Sequence, residues 1–437
     1  MKRLLTTAAL ATALLTNPAS AQDVIISNAK LAIGDGSEPI DDAVVVIKNG
    51  EVTYAGPAQG TTFEITQLVD AKGAYVTPGL FATVTSLGIW DVGAVSQSND
   101  TRAGGSPFSA ALDTAPIVNP SSQHVAIYRA AGVTRAAVTT MPSGSIFAGQ
   151  GAIVDLGSDP DPITKARAFQ MVDLGEGGAR LAGGSRASSY VLFKAALREA
   201  RALGSSRGTP QTTEISKGDD VMLSRFDAEA LIPVVNGQQQ LYVAVERAAD
   251  IRSVLALKSD FPRLDMVLFG ANEGWMVASE IAAAGVPVIA DGLDDLPVSF
   301  AELAATQSNI GRMTNAGVRV AISASGLRNP RRLPQAAGNL VALSSVPRAS
   351  GLSWGQAFAA ISSVPAEISG MGGRAGVLSR GAMGDLVIWD GDPLELGSVP
   401  TKVFISGVEQ PLDNHQSRLK ERYRDLDETQ LPKAYDW

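Results

Sequence analysis

The chain has 437 residues, of which 45% are hydrophobic and 18% charged, a composition typical of globular proteins. The formal net charge is −8 at pH 7 and basic clusters are missing, so we expect no nucleic-acid partner. Cysteine is absent, which excludes a disulfide framework, and the sequence holds two histidines, His124 and His415, which limits metal-ion and general-base chemistry.

The first 21 residues predict a secretory signal peptide. Lys2 and Arg3 precede an apolar stretch over residues 4–15, and residues 19–21 read Ala-Ser-Ala, an A-x-A cleavage pattern. The apolar stretch is too short to cross a hydrocarbon core about 30 Å thick as a helix, and no later stretch is long and apolar enough. We therefore expect cleavage after Ala21, a periplasmic protein and no membrane span.

Residues 22–77 predict the N-terminal part of a small β domain. Strands are expected at Asp23–Ser27, Ala43–Lys48 and Glu51–Ala55. Asn49-Gly50 lies between the last two and is a strong signal for a two-residue hairpin turn.

Residues 78–375 alternate between short apolar runs and helical segments. Helices are expected at Ala248–Lys258, Trp275–Ala284 and Phe300–Ala316, and strands at Phe81–Ile89, Val133–Thr139, Leu241–Val245, Met266–Phe269, Val286–Ala290 and Val318–Ser323. Such units predict a parallel sheet with helices outside it, and their number favours a (β/α)₈ barrel of the TIM type over an open sheet. Between residues 158 and 227 the sequence assigns no barrel strands, and Gly149-Gln150-Gly151 predicts a tight turn.

Residues 376–415 return to strands, expected at Gly384–Trp389 and Val399–Ile405. Strands at both ends of a barrel-like middle predict a small β-sandwich formed by both termini. Residues 416–437 are predicted to form a charged tail.

Two end motifs resemble the amidohydrolase superfamily. Residues 76–80, Val-Thr-Pro-Gly-Leu, resemble the start of its first barrel strand, and residues 381–393 are similar to the segment that returns to its small sheet. Residues 243–251 and 149–152 are similar to segments of its imidazolonepropionase-like periplasmic members. The resemblance implies a hydrolase acting on carbon–nitrogen bonds, with a zinc-like ion that lowers the pKa of the attacking water.

The chain departs from this family at the metal ligands. The family pattern after Pro-Gly-Leu reads Ile-Asp-x-His-x-His, and Val84 and Ser86 hold the two histidine positions here. The resemblance places the fifth-strand histidine near Ala244 and the eighth-strand aspartate near Ser325, and residues 269–271 on the sixth strand contain no histidine. Because zinc typically needs at least three protein N, S or O ligands, we expect no zinc-type site.

Several acidic residues follow predicted strand ends, where the sites of (β/α)₈ barrels lie. These candidate pocket-rim residues are Asp91, Glu246, Glu273, Asp291 and Asp294, with Asp295 beside them. They are compatible with Ca²⁺ or Mg²⁺ binding, with a cationic small molecule, or with solvated loops that hold no ligand.

One nucleophile–base pair is also conceivable. His124 as a base and Ser86 as a nucleophile would need hydrogen-bond distance, and a helix between the first two barrel strands normally faces away from the barrel mouth.

Two functional classes therefore stay open. The first is a non-catalytic relative that binds a small molecule or pairs with an active amidohydrolase paralogue or a second copy of itself. The second is a hydrolase of carbon–nitrogen bonds, in non-peptide, dipeptide or cyclic amide substrates, with a rearranged acid-based site. The sequence favours the first, since a shared fold does not carry activity with it.

Overall fold

The computed structural model describes residues 23–58, 67–206, 222–292, 294–324 and 332–424. The predicted signal peptide, Ser325 and the end of the predicted tail lie outside these ranges. Within them, no helix combines the length and the apolar character needed to cross a membrane.

The N-terminal strands begin one mixed sheet. They are β1 (Val24–Leu31), β2 (Ile40–Lys48), β3 (Glu51–Pro57), β4 (Gln67–Asp70) and β5 (Tyr75–Pro78). Antiparallel β2 and β3 are joined at Asn49 and Gly50, whose φ angles of 49° and 79° are those of the expected hairpin turn.

Eight strands form the second sheet, a nearly closed barrel. They are β6 (Leu80–Thr85), β7 (Val133–Val138), β8 (Phe147–Asp155), β9 (Ile163–Asp173), β10 (Gln240–Val245), β11 (Met266–Gly270), β12 (Val288–Ala290) and β13 (Val320–Ile322), neighbours in that order. A parallel bridge between Thr83 and Ser323 links the first strand to the last, and the Ala324 amide donates to the Thr83 carbonyl at 3.2 Å. The mixed α/β fold and the eight-stranded barrel predicted from the sequence are confirmed.

The barrel is not a regular (β/α)₈ repeat. Strands β7, β8 and β9 follow one another without a helix, and β8 runs antiparallel to both neighbours. The turn expected at Gly149-Gln150-Gly151 is wrong, because these residues lie inside β8. A Cβ atom at Gly151 would lie 2.2 Å from the Phe169 ring, so the glycine makes room for a side chain of β9 instead of turning the chain.

Helices pack around the barrel. The described α-helices are α1 (Gln123–Ala130), α2 (Glu176–Leu181), α3 (Arg186–Ser206), α4 (Arg225–Val235), α5 (Ala248–Leu255), α6 (Leu257–Asp260), α7 (Ala278–Ala283), α8 (Asn309–Asn315), α9 (Arg332–Leu343), α10 (Trp354–Ala359), α11 (Ser363–Ile368) and α12 (His415–Arg422). The helix expected over residues 300–316 forms only from Asn309, and the preceding residues make turns that leave Val298 and Phe300 largely exposed.

The C-terminal strands return to the first sheet as β14 (Leu386–Trp389), β15 (Pro400–Ile405) and β16 (Val408–Glu409). Strand β14 pairs antiparallel with β5, so the order is β16-β15-β14-β5-β1-β2-β3, with β4 paired to β1. Both ends of the described chain thus share one hydrogen-bonded sheet, whereas the sandwich form of this unit stays a prediction.

The interior of the barrel is apolar. Inward-facing side chains from successive strands form one buried cluster, which includes Phe81, Val84, Ala137, Ile153, Phe169, Met171, Tyr242, Val267, Ile289 and Ala321. Ala366, Ile368 and Met371, in and just after α11, belong to the same cluster. The barrel is therefore a packed core whose open space lies at its rim.

Candidate functional site at the barrel mouth

A cavity of about 270 Å³ lies where β6, β7 and β13 end. Its strand-end wall consists of Val84, Thr85, Ser86, Thr139 and Ala324. The connection from β6 to α1 and the helix itself supply the other wall, which includes Leu87, Trp90, Asn99, Thr101, Arg102, His124 and Tyr128. The cavity thus opens at the carboxyl ends of the strands, the end at which barrel proteins carry their sites.

Helix α1 faces this cavity, contrary to the expectation that it would point away. The His124 imidazole stacks on the Trp90 indole, with ring centroids 4.0 Å apart and an interplanar angle of 28°. Its Nε2 lies 2.9 Å from the Asp91 carbonyl oxygen, and because a carbonyl can only accept, Nε2 carries the proton. His124 and Ser86 therefore line the same cavity, although no hydrogen bond joins them.

The positions that the resemblance assigns to metal ligands carry mostly hydrocarbon side chains. Val84 is 3% exposed and packs in the apolar interior cluster, against which Ala244 and Phe269 also pack. Ser86 offers one hydroxyl, and Ser325 lies outside the described residues. This donor set does not fit a zinc ion, which typically takes at least three N, S or O ligands from the protein.

Val84 also has an unusual backbone. Its φ angle is 49°, in the left-handed region that β-branched residues rarely adopt, and the pairing of β6 with β7 shifts register between Ala82 and Thr85. Val84 also lines the cavity, so this irregularity lies in the cavity wall.

Part of the predicted acidic rim converges on one amide. The Asn272 side-chain Nδ2 donates to Asp294 Oδ2 and to Glu302 Oε2, both at 3.0 Å, and the Asn272 backbone amide donates to Glu246 Oε2 at 3.1 Å. Burial raises the pKa of Glu246 to about 8, with a smaller upward contribution from the carboxylates of Glu302, Asp294 and Asp173 and an opposing one from the Asn272 backbone amide. Burial, followed by the charge of Asp291, raises the pKa of Asp294 as well.

Two of the other predicted rim residues, Asp91 and Glu273, accept hydrogen bonds at helix starts, whereas Asp291 acts through its charge on Asp294. Asp91 Oδ1 accepts from the Ser122 hydroxyl at 2.6 Å and from the Gln123 amide at 3.3 Å, where α1 begins. Glu273 Oε2 accepts from the Ala248 amide at 3.0 Å, where α5 begins. The acidic residues predicted as one rim thus fall into two groups, one that accepts hydrogen bonds at helix starts and one that gathers around Asn272. Among the described residues, no group of three or more His, Asp or Glu side chains is arranged to hold a metal ion.

The sequence did not predict several residues of the cavity wall and of the carboxyl group around Asn272. Asn99, Thr101 and Arg102 belong to a long connection between β6 and α1, and Asn272 and Glu302 carry no motif. The available signal was the length of that connection, because long loops after barrel strands tend to carry function.

Comparison with known proteins supports the sequence resemblance. A model of the amidohydrolase family matches residues 242–403, from β10 through most of β15. A stretch of 60 residues, 14% of this chain, is 42% identical to amidohydrolase tasK from Hapsidospora irregularis. The match spans 6% of that much longer protein.

Solved structures share the fold over most of the chain. An amidohydrolase from Thermotoga maritima MSB8 superposes with a TM-score of 0.76 at 19% identity, covering 88% of this chain and 99% of that protein. A prolidase in complex with N-methylphosphonate-L-proline gives a TM-score of 0.53 at 13% identity, covering 89% and 99% of the two chains. The family model over residues 242–403 and the local match to an amidohydrolase support membership of the amidohydrolase superfamily, and the solved structures show that the fold is shared.

Proposed function

We propose that the chain is a non-catalytic member of this superfamily that binds a small molecule at the barrel mouth. The observation that carries the proposal is the packing of Val84 with Ala244 and Phe269 in the apolar interior, at positions where the family places metal ligands. Hydrocarbon side chains there fill the volume that imidazoles would need and offer no lone pairs to an ion. The cavity above them supplies a place for a ligand instead.

A catalytic alternative rests on a different observation. Glu246, with its pKa raised to about 8 by burial, could hold a proton at neutral pH and act as a general acid toward a carbon–nitrogen bond. The negative charges of Glu302 and Asp294 would favour retention of that proton. Buried structural carboxyl clusters also have raised pKa values, so this geometry does not favour the catalytic alternative over the binding function.

The first experiment measures metal content. Protein purified without chelators would be analysed by elemental mass spectrometry, beside a superfamily member with an intact His-x-His strand as positive control. We expect substoichiometric zinc, manganese and iron. Stoichiometric metal, together with hydrolysis that a chelator abolishes, would overturn the proposal.

The catalytic alternative needs its own measurement. Dipeptides, cyclic amides and N-acyl amino acids would be incubated with the protein and with its Glu246→Gln variant. Hydrolysis that survives chelation and disappears in the variant would establish the acid-based site and would contradict the non-catalytic role.

Export and partnership complete the proposal. We infer from the sequence that the chain is exported to the periplasm with cleavage after Ala21, and that it pairs with an active amidohydrolase paralogue or with itself. Cell fractionation with N-terminal sequencing tests the export. Light scattering of the purified protein, alone and mixed with the paralogue, tests the pairing.

A further inference from the structure

We propose that the barrel-mouth cavity takes small carboxylates that carry a planar or otherwise apolar group. This inference rests on the proposed binding function and names the class of ligand. It follows from three properties of the described cavity wall, which are its charge, its free hydrogen-bond donors and its aromatic face.

The charge of the wall is positive. Among the described lining residues, Arg102 carries a permanent charge and no carboxylate is present. The guanidinium makes one long hydrogen bond, from Nη1 to the Pro142 carbonyl oxygen at 3.4 Å, and forms no ion pair with a described residue. A guanidinium has five N–H donors in a fixed fork that matches a carboxylate, so most of its capacity is available to a ligand.

The wall holds donor hydrogens that no described residue accepts, beside one acceptor, the His124 Nδ1 atom. Three lining threonines use their hydroxyl protons inside the protein, since Thr85 donates to the Ala137 carbonyl at 3.1 Å, Thr101 to Asn99 Oδ1 at 2.6 Å and Thr139 to the Thr140 carbonyl at 3.2 Å.

By contrast, the Ser86 hydroxyl and the Asn99 side-chain NH₂ make no hydrogen bond to a described residue. With Arg102 they offer N–H and O–H groups, and a ligand rich in acceptor oxygens satisfies them.

The remaining wall is apolar and partly flat. Trp90, backed by the stacked His124 ring, presents an aromatic surface, and Leu87 and Met141 add hydrocarbon. Aromatic faces bind flat groups by offset stacking. The volume of about 270 Å³ lies near the lower end of small-molecule sites, which favours a ligand of modest size.

A cationic ligand, which the acidic rim suggested from sequence, does not suit this cavity. Glu246, Asp294 and Glu302 do not line it, and their carboxylates are turned toward Asn272. A positively charged ligand would meet the Arg102 charge without a compensating carboxylate.

Calorimetry with matched probes tests the inference. Benzoate and hippurate would be titrated into the full-length protein beside benzamide and hippuramide, their neutral counterparts of nearly the same shape. We expect binding of the carboxylates at least tenfold tighter than that of the amides. The Arg102→Ala variant should lose that preference, and Arg102→Lys should restore part of it, because lysine keeps the charge without the fork.

An exposed arginine on helix α3 gives the matched control, and Arg198→Ala should bind as the wild type does. Equal binding of carboxylates and amides, unchanged affinity after Arg102→Ala, or no binding of any probe would overturn the carboxylate inference. None of these results concerns the metal content, so the proposed function stands or falls separately on the elemental analysis.

Discussion

Arg135 on barrel strand β7 forms a buried ion pair with Asp385, the residue just before β14 in the terminal sheet. Arg135 Nε lies 2.6 Å from Asp385 Oδ2, and the two side chains are 3% and 2% exposed. Asp385 Oδ1 also accepts from the Ser406 backbone amide at 2.8 Å, and Arg135 Nη2 donates to the Ser406 hydroxyl at 3.1 Å. The pair therefore ties the barrel to the terminal sheet at a point that water does not reach.

Breaking this pair should cost more than breaking an exposed one. Asp385→Asn leaves the buried Arg135 charge with only the more distant Asp155 carboxylate, 3.9 Å away, and we expect a loss of about 3 kcal/mol in the free energy of unfolding. Glu280→Gln, which breaks the exposed pair with Arg252, should cost less than about 1 kcal/mol. Urea unfolding of both variants checks this, and equal midpoints would contradict the structural role of the pair.

Gly270 should be intolerant of a side chain because Glu246 lies over it. Its φ is +92°, and a Cβ atom there would lie 2.0 Å from Glu246 Oε1. Gly285 is a matched control, with φ +63° and nothing within 4 Å of such an atom. In both variants, placing alanine at a positive φ angle lowers the free energy of unfolding by about 1 kcal/mol. In Gly270→Ala, the close contact with Glu246 lowers it by about 1–3 kcal/mol more. Thermal unfolding that ranks the two variants equally would show that Glu246 moves aside freely.

Asp227 anchors the long connection after β6 to helix α4. Its Oδ1 accepts from the Ser109 and Ala111 backbone amides, both at 2.8 Å, and its Oδ2 from the Ser224 hydroxyl at 2.7 Å. Asp227→Ala leaves these donors unmet, and we expect a loss of about 3 kcal/mol and faster proteolysis of the connection. Glu229→Ala on the same helix, which breaks an exposed contact to Arg225, should change neither readout by much.

The sequence located six barrel strands to within a few residues, because each is an apolar run bounded by glycine or by a helix. Strand β8 escaped because Gly149 and Gly151 resemble a turn, and the reason they are glycine is the Phe169 ring on the neighbouring strand. That contact depends on the pairing of β8 with β9, which no local pattern records.

The candidate site was predictable where it lies on a strand and unpredictable where it lies on a loop. Val84 and Ser86 follow from the motif at β6, and both line the cavity. Arg102 lies on the connection after β6 and His124 in the first turn of α1, and the path of that connection depends on tertiary contacts such as those of Asp227. The acidic residues predicted at the rim follow strand ends as expected. Which of them come together depends on their hydrogen-bond partners, and their positions in the sequence do not show this.

The clustered carboxyls predict a pH dependence of stability. The pKa of Glu246 rises from 4.5 to about 8 on folding, with burial as its first cause, so the folded state binds its proton more tightly than the unfolded state. That contribution is complete below pH 4.5 and is lost as the pH rises toward and through 8. We expect Glu246→Gln, which keeps an acceptor for the Asn272 amide, to flatten the fall in unfolding free energy between pH 5.5 and 8 by about 1–3 kcal/mol. Glu395→Gln at an exposed site is the control. Parallel pH profiles for the wild type and Glu246→Gln would mean that Glu246 is already ionised in the folded protein, and would contradict the raised pKa.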